Sequence, residues 1–285
     1  MAIHLPYGGS SIHRTIGCNG WVKKSQGIPP RPAGSAAIDG SMYHEVMERC
    51  QRDGVTPEQC LGLVYSEDGA TRVFAEDDLD LAEIAYNATN KLLDDLDIDV
   101  MMVEPFVQLI IGKAGGSIDV LGLSADGKTL LVLDYKFGSV RVSATNNAQL
   151  SFYALAAQQD RKTRDLFKLV ESVECVIVQP QAKGVVSRWA FSAGFLEGFH
   201  KEVLSAMDGT AIPPGSHCKY CPAEPYCPEK RAAVMGANLL GTQEREEVQA
   251  GADMIVEVET WLKSMKAEVY LQLVRGVPIK GWKVV

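Results

Sequence analysis

Residues 116–138 read GSIDVLGLSADGKTLLVLDYKFG, and this stretch decides the fold. Its apolar runs predict two short strands joined by the tight turn Ala125-Asp126-Gly127-Lys128. Asp119 falls on the first strand, and Asp134 and Lys136 end the second. The period of two along a strand points Asp134 and Lys136 to the same side. Charged groups on an apolar hairpin are costly to bury unless they are paired or bound to a metal. Two carboxylates can hold a divalent cation, and an adjacent lysine can stabilise a developing anion, as metal-dependent phosphodiester hydrolysis requires. A structural salt bridge is the alternative these residues leave open.

Two other D-x-K triplets test how specific that reading is. Asp126-Gly127-Lys128 belongs to the hairpin turn, and Asp160-Arg161-Lys162 to a solvated helix end, so only Asp134-Tyr135-Lys136 closes an apolar strand. Working outward, a helix is expected from near Gly40, carrying His44, Met47 and Cys50. A second is expected over residues 77–96, with Leu81, Ile84, Ala85, Ala88, Leu92 and Leu96 on its apolar face and acids opposite. Strands follow over 101–111, 117–123 and 129–136, then a helix over 143–158 with Gln149 and Tyr153 at i and i+4 on one face. A hairpin over 175–191, a helix N-capped by Ser192 and a last helix over 244–275 complete the pattern. Residues 1–38, with Pro29-Pro30-Arg31-Pro32, read as irregular. The expected fold class is α/β, a mixed central sheet flanked by helices with a C-terminal cysteine-cluster and helical extension. The expected division is an N-terminal segment 1–39, a core 40–210, a cysteine loop 211–235 and a helix and tail 236–285.

The chain has 285 residues, 46% hydrophobic and 22% charged, and a formal net charge of -8. Nine acids against one lysine between residues 76 and 100 carry all of that charge, so the remainder is neutral. Global acidity therefore weakens nucleic acid as a partner without excluding it. Lys23, Lys24 and Arg31, then Lys136 and Arg141, then Arg161, Lys162, Arg164 and Lys168 offer local phosphate contacts. No secretory signal or membrane span is read, and a cytoplasmic location with no membrane partner is expected. Of seven cysteines, Cys50, Cys60 and Cys175 read as inert, while Cys218, Cys221 and Cys227 form a proline-stiffened set that Cys18 can complete. Four thiolates suit an iron–sulfur cluster or zinc, the latter with His217 as a further donor.

The order of these elements resembles the RecB-type branch of the PD-(D/E)XK nuclease superfamily. That branch shows a helix histidine, a GxxD strand, a DxK strand and a QxxxY helix, here His44, Gly116 to Asp119, Asp134 to Lys136 and Gln149 to Tyr153. Ser10, Ser11, His13, Arg14 and Cys18, the DYK-x-G…N-x-QL-x-x-YA run and the tail from Gly276 to Val284 further resemble a phage and prophage family of that branch. Ile118 stands where the superfamily name has proline.

The resemblance implies a restriction-endonuclease-like core acting as a Mg2+- or Mn2+-dependent DNA exonuclease that resects DNA ends in recombination or repair. Asp119 and Asp134 would ligate the metal, with the Tyr135 carbonyl and His44 completing the shell. Lys136 would orient the attacking water, Gln149 and Tyr153 would position the scissile strand, and Glu104 would support from the preceding strand. One cysteine before the core and three after it is the arrangement of iron–sulfur members, implying a structural [4Fe-4S] cluster on Cys18, Cys218, Cys221 and Cys227, with zinc as the alternative. DNA ends are the expected partner, with a single-strand annealing or recombination protein and a homo-oligomer as further ones. A structure-selective endonuclease and a non-catalytic DNA-binding or assembly subunit are the rival functions. Each of Asp119, Asp134 and Lys136 is expected to be replaceable without loss of folding.

Overall fold

The computed structural model describes residues 5–29, 34–67, 69–236 and 245–284. In chain order, β1 (Tyr7–Gly8) precedes the short helices α1 (Ile12–Gly17) and α2 (Trp21–Lys24) and the long α3 (Ser35–Asp53). A ribbon of β2 (Val64–Glu67) and β3 (Ala70–Val73) leads to α4 (Leu79–Asp95). Five strands follow: β4 (Ile98–Val103), β5 (Phe106–Ile110), β6 (Ala114–Ser117), β7 (Val120–Ser124) and β8 (Thr129–Tyr135). Then come α5 (Ala148–Gln159), β9 (Ser172–Val178), β10 (Val186–Ser192), α6 (Phe195–Asp208), α7 (Pro228–Gly236) and α8 (Arg245–Val274). The chain divides into two compact units, Met1–Ile12 with Pro32–Glu202 and His13–Arg31 with Val203–Val285.

The first unit is an α/β structure built on a five-stranded mixed sheet in the order β10-β9-β8-β7-β4. β8 runs antiparallel to β7 and parallel to β9. A parallel pair needs a crossover, which the segment containing α5 supplies. Strands covered on both faces read as continuous apolar runs, and TLLVLDY and SVECVIV are buried at nearly every position. Leu131, Leu133, Tyr135, Val176 and Val178 join one core with Met42, Val46 and Met47 of α3 and Ala82, Ala85 and Leu92 of α4. Each fully buried leucine contributes about 1.5–3 kcal/mol relative to exposure. Alternate residues Leu130, Val132 and Asp134 take the opposite face, where Gln149 of α5 meets Asp134. A three-stranded sheet, β1-β6-β5, completes this unit with the β2-β3 ribbon.

Several boundaries differ from the sequence reading. The single strand expected over 101–111 is two strands, β4 and β5, separated by Glu104 and Pro105. Asp119 lies not on a strand but in the gap between β6 and β7. Helix α3 begins at Ser35, behind an extended Gly34, because nothing before Gly40 breaks it, and it ends at Gly54 with φ 68°. The segment read as irregular holds β1, α1 and α2, while residues 30–32 of the proline stretch lie outside the described residues.

Other helix details were also shifted. Helix α4 is rotated from its expected face: Ala82 and Thr89 are buried whereas Ile84 is 40% exposed. The helix expected from 143 starts at Ala148, where the Asn147 side chain accepts the N–H groups of Gln149 and Leu150. Ser192 is the last residue of β10, and α6 begins only at Phe195, so Ser192 is too far back to be its N-cap. The expected helix start at Glu244 lies outside the described residues, and α8 is described from Arg245 to Val274. Among the described residues no helix is long and apolar enough to cross a membrane.

The second unit gathers α7, α8 and two single helical turns, Ser216–Cys218 and Glu224–Tyr226, with residues from the N-terminal segment. Its packing includes an enclosed charge: Lys230 is fully buried and pairs with Glu257 and, at 3.9 Å, with Glu224. Cys18, Trp21, Cys221 and Ala223 form a small apolar cluster of their own.

Candidate metal centre

The breaks on either side of the β4–β5 and β6–β7 strands face one another. Glu104 donates its backbone N–H to Asp119 O at 3.1 Å, and Ile118 donates to Pro105 O at 3.2 Å. Pairing therefore continues through the junction, from Phe106 opposite Ser117 to Val103 opposite Val120. Glu104 adopts φ 52°, in the left-handed region that costs a non-glycine residue about 1–2 kcal/mol. Both carboxylates thus leave the ladder at the point where the strands pass from one sheet to the other.

His44 meets them from α3. Its Nδ1 lies 3.4 Å from Asp119 Oδ2, which also accepts the Tyr135 backbone N–H at 2.6 Å. One ligand atom each from His44, Glu104 and Asp119 lies within 4.8 Å of the others. The edges of Tyr135 and Phe137 hold the imidazole, with ring centroids 6.2 and 5.8 Å away. Glu104 was a supporting candidate in the sequence; its signal was the Glu-Pro pair interrupting the apolar run MMVEPFVQLII.

Asp134 is placed beside this group rather than within it. Its Oδ1 accepts from Gln149 Nε2 at 2.7 Å, and its Oδ2 lies 2.6 Å from Lys136 Nζ. Lys136 also donates to Gln149 Oε1 at 3.4 Å. Strand periodicity puts Asp134 and Lys136 on one side, and the first turn of α5 brings Gln149 between them. Tyr135 points the other way, with its hydroxyl 3.1 Å from Thr89 Oγ1 in the core.

Tyr153 is one helical turn beyond Gln149 and is 7% exposed. A Cβ on Gly9 would lie 2.2 Å from Tyr153 Cε1, and one on Gly116 would lie 3.2 Å from it. The first glycine of GSID thus makes room for the aromatic ring of the polar helix. Gly9→Ala is expected to lower stability by about 1–3 kcal/mol through overpacking and to displace Tyr153. Chemical denaturation checks this, and a variant as stable as the parent would contradict the close contact.

Burial and mutual charge set the protonation of this group. Burial alone would lower the His44 pKa, but Asp119 and then Asp134 raise it to about 9. Asp119 moves the other way: burial raises it, yet His44, the Tyr135 N–H and Lys136 bring it below the ordinary carboxylate value. Burial, Asp119 and Glu48 push Glu104 up to about 8. Burial likewise raises Asp134 against the pull of Lys136. At neutral pH without metal, His44 and Glu104 hold protons that a ligated cation must displace. Mn2+ affinity is therefore expected to climb with pH and level off above about 9, with proton release measurable by calorimetry in two buffers. Both folded values lie above the ordinary 6.5 and 4.5, so the metal-free protein loses these groups' stability as pH rises through about 8 and 9. A flat pH profile for both quantities would contradict that assignment.

An open cleft of about 990 Å3 runs beside the group, lined in part by His44, Glu48, Arg49, Arg52 and Glu104. Arg49 and Arg52 are paired with Glu45 and Glu48 at 3.0 and 2.5 Å. Exchanging these exposed i,i+4 pairs for another anion costs only about 0.3–0.5 kcal/mol each. Most of the acidic stretch is solvated, but Asp78 is buried against Arg72 at 2.7 Å and Tyr43 Oη at 3.0 Å. Arg141, Arg161, Lys162 and Arg164 are exposed.

In the second unit, Cys18, Cys218, Cys221 and Cys227 all line one small cavity, with Arg14 and His217 among its walls. Cys18 follows α1, with its N–H on Arg14 O at 2.7 Å. The Cys218–Cys221 turn closes through Tyr220 at φ 65°, with the Cys221 N–H on Cys218 O at 2.8 Å. Burial pushes the Cys18 thiol up to about 11 and raises the other three. Cys50, Cys60 and Cys175 are buried in the first unit and do not line this cavity. The donor set suits a thiophilic metal or cluster. The Arg14 Nε, buried beside the thiols without a hydrogen bond among the described residues, fits a site built around negative charge.

A mixed α/β sheet carrying a histidine, glutamate and aspartate group at a strand junction defines an α/β protein with a candidate metal centre. Over residues 4–285 the chain matches the family described as "Protein of unknown function (DUF2800)", and it belongs to that family. No curated protein matches it. Among solved structures it is similar to SSO0001, at 10% identity over 76% of this chain and 85% of that one, with a TM-score of 0.31. It is also similar to the protein VC1899 from Vibrio cholerae, at 11% identity over 70% of this chain, with a TM-score of 0.23. The chain spans 54% of the length of the latter.

Proposed function

We propose that this chain is a Mg2+- or Mn2+-dependent DNA exonuclease with a RecB-type PD-(D/E)XK core, resecting DNA ends in phage recombination or repair. The observation that carries the reading is the meeting of two carboxylates and a histidine at one strand junction with a lysine–glutamine pair on the next strand and helix. His44, Glu104 and Asp119 are the ligands that would hold a divalent cation, with Asp134 and the Tyr135 carbonyl adjoining. A cation held by these residues would lower the pKa of bound water and neutralise phosphate oxygens. Lys136, kept cationic by Asp134 although burial opposes it, offers positive charge to the developing phosphorane. Gln149 joins Lys136 and Asp134, so it holds both in register and positions the reacting groups. Tyr153 packs behind them as a support for the scissile strand.

The four-cysteine cavity supports a structural metal centre in the second unit. The four thiols would hold a [4Fe-4S] cluster, or zinc as the alternative. A zinc–sulfur distance of about 2.3 Å sets tetrahedral thiolates about 3.8 Å apart. Among the described residues no three of the cysteine sulfurs lie within 4.8 Å of one another, a wider spacing than a tetrahedral zinc site needs, which favours the wider cluster.

The test is a digest of end-labelled linear and covalently closed circular DNA with Mg2+ or Mn2+. Loss of linear DNA alone supports the exonuclease. Nicked circles would replace it with a structure-selective endonuclease, and binding without cleavage with a non-catalytic DNA-binding subunit.

A further inference from the structure

We propose that Arg14 is the built-in counter-cation of the four-cysteine centre, stabilising the excess negative charge that the centre carries once it is loaded. This rests on the thiolate reading above and assigns a positioning role to a residue outside the ligand set. Four thiolates around either Zn2+ or a [4Fe-4S]2+ core leave a net charge of -2, and a buried charge is costly unless compensated.

The cations in the cavity wall, and Lys230 near Cys218, narrow to one. Lys24 lies 2.5 Å from Glu229, and Lys230 is committed to Glu224 and Glu257. His217 is engaged elsewhere, with its Nε2 2.9 Å from the Pro213 carbonyl oxygen. Arg14 is 8% exposed, and among the described residues no carboxylate pairs with it. Its guanidinium stacks over Trp21, 4.8 Å from the ring centroid, while its Nε has no hydrogen-bond acceptor among the described residues. Burial lowers its pKa, and the groups that offset this are Cys221, Cys218 and Cys18. Arg14 also sits one helical turn before Cys18 on α1, so its backbone and that ligand's move together.

This placement separates a counter-cation from an ordinary structural arginine. With neutral thiols, a buried guanidinium lacking an acceptor is a net cost to folding. With loaded thiolates, it becomes favourable. Removing the charge must therefore act with opposite sign in the two states.

The experiment compares wild type, Arg14→Met and Arg14→Lys, all full length and purified without oxygen. Iron, acid-labile sulfide and zinc are counted per chain, and release is followed with a colorimetric chelator. Arg14→Met is expected to release metal at least about tenfold faster, and Arg14→Lys to stay near wild type. After stripping, Arg14→Met is expected to unfold at or above the wild-type midpoint; where stripped protein shows no transition, the release rates decide. Equal release from Arg14→Met and wild type would overturn the counter-cation, as would Arg14→Lys failing as badly as Arg14→Met. A stripped Arg14→Met far less stable than stripped wild type would make Arg14 structural. Wild-type protein without thiol-bound metal would overturn the thiolate centre itself, and the counter-cation with it.

Discussion

Asp119→Asn is expected to remove Mn2+ binding at the strand junction and to lower DNA cleavage by at least about 10³-fold. Asp119 Oδ2 is where the site converges: it accepts the Tyr135 N–H, faces His44 and belongs to the only three-ligand group found among the described residues. Asparagine keeps the shape and removes the charge, so folding is retained while the ligand is lost. Asp126→Ala provides the contrast, because Asp126 only receives hydrogen bonds from Ser124 and the Lys128 N–H in an exposed turn. Calorimetric Mn2+ titration and the linear-DNA digest measure both effects. Equal losses in the two variants would place the site elsewhere.

Lys136 is a poorer single probe than the sequence implied. Asp134 is 5% exposed, so Lys136→Met leaves a buried carboxylate without its cation, at about 3–5 kcal/mol. Folding is therefore not indifferent to Lys136. Pairing the change with Asp134→Asn removes that penalty and isolates the catalytic loss.

The second large effect is expected at Cys18. Cys18→Ser should lose most of the bound iron or zinc and, with it, the thermal stability of the second unit. Metal binding by four thiolates is worth on the order of 10 kcal/mol, and that free energy is folding free energy where the site is structural. Cys18 joins a set otherwise drawn from residues 218–227, so its loss breaks the long-range part of the site. Cys175→Ser lies in β9 of the first unit and is expected to leave metal content unchanged while costing about 1–3 kcal/mol for a buried hydroxyl. Metal analysis with thermal unfolding decides between them. A Cys175→Ser protein depleted as fully as Cys18→Ser would dissolve the assignment of the four cysteines.

Much of the centre was legible because its geometry is local. Asp134 and Lys136 share a side through strand periodicity, Gln149 and Tyr153 share one through helix periodicity, and Gly127 at φ 72° marks the turn of an Asp-Gly hairpin. The sequence-level reading missed what depends on sheet topology. The mostly apolar run from 101 to 111 reads as one strand interrupted by Glu104 and Pro105, and neither period nor propensity says that it leaves one sheet for another there. The rotation of α4, with Ala82 and Thr89 inward, was likewise set by which helix and sheet it packs upon.

Taken alone, the amino-acid sequence determined the mixed α/β class, the identity of the acidic, basic and thiol groups, and their grouping along the chain. Those properties follow from side-chain period and turn chemistry over a few residues. Only the tertiary structure decided that Glu104 joins Asp119 and His44, and that Asp134 is taken up by Lys136 and Gln149. It also decided that Arg14 is buried among thiols without a carboxylate. Each depends on contacts between residues distant in the chain, where burial raises the cost of an unpaired charge and so selects its partner.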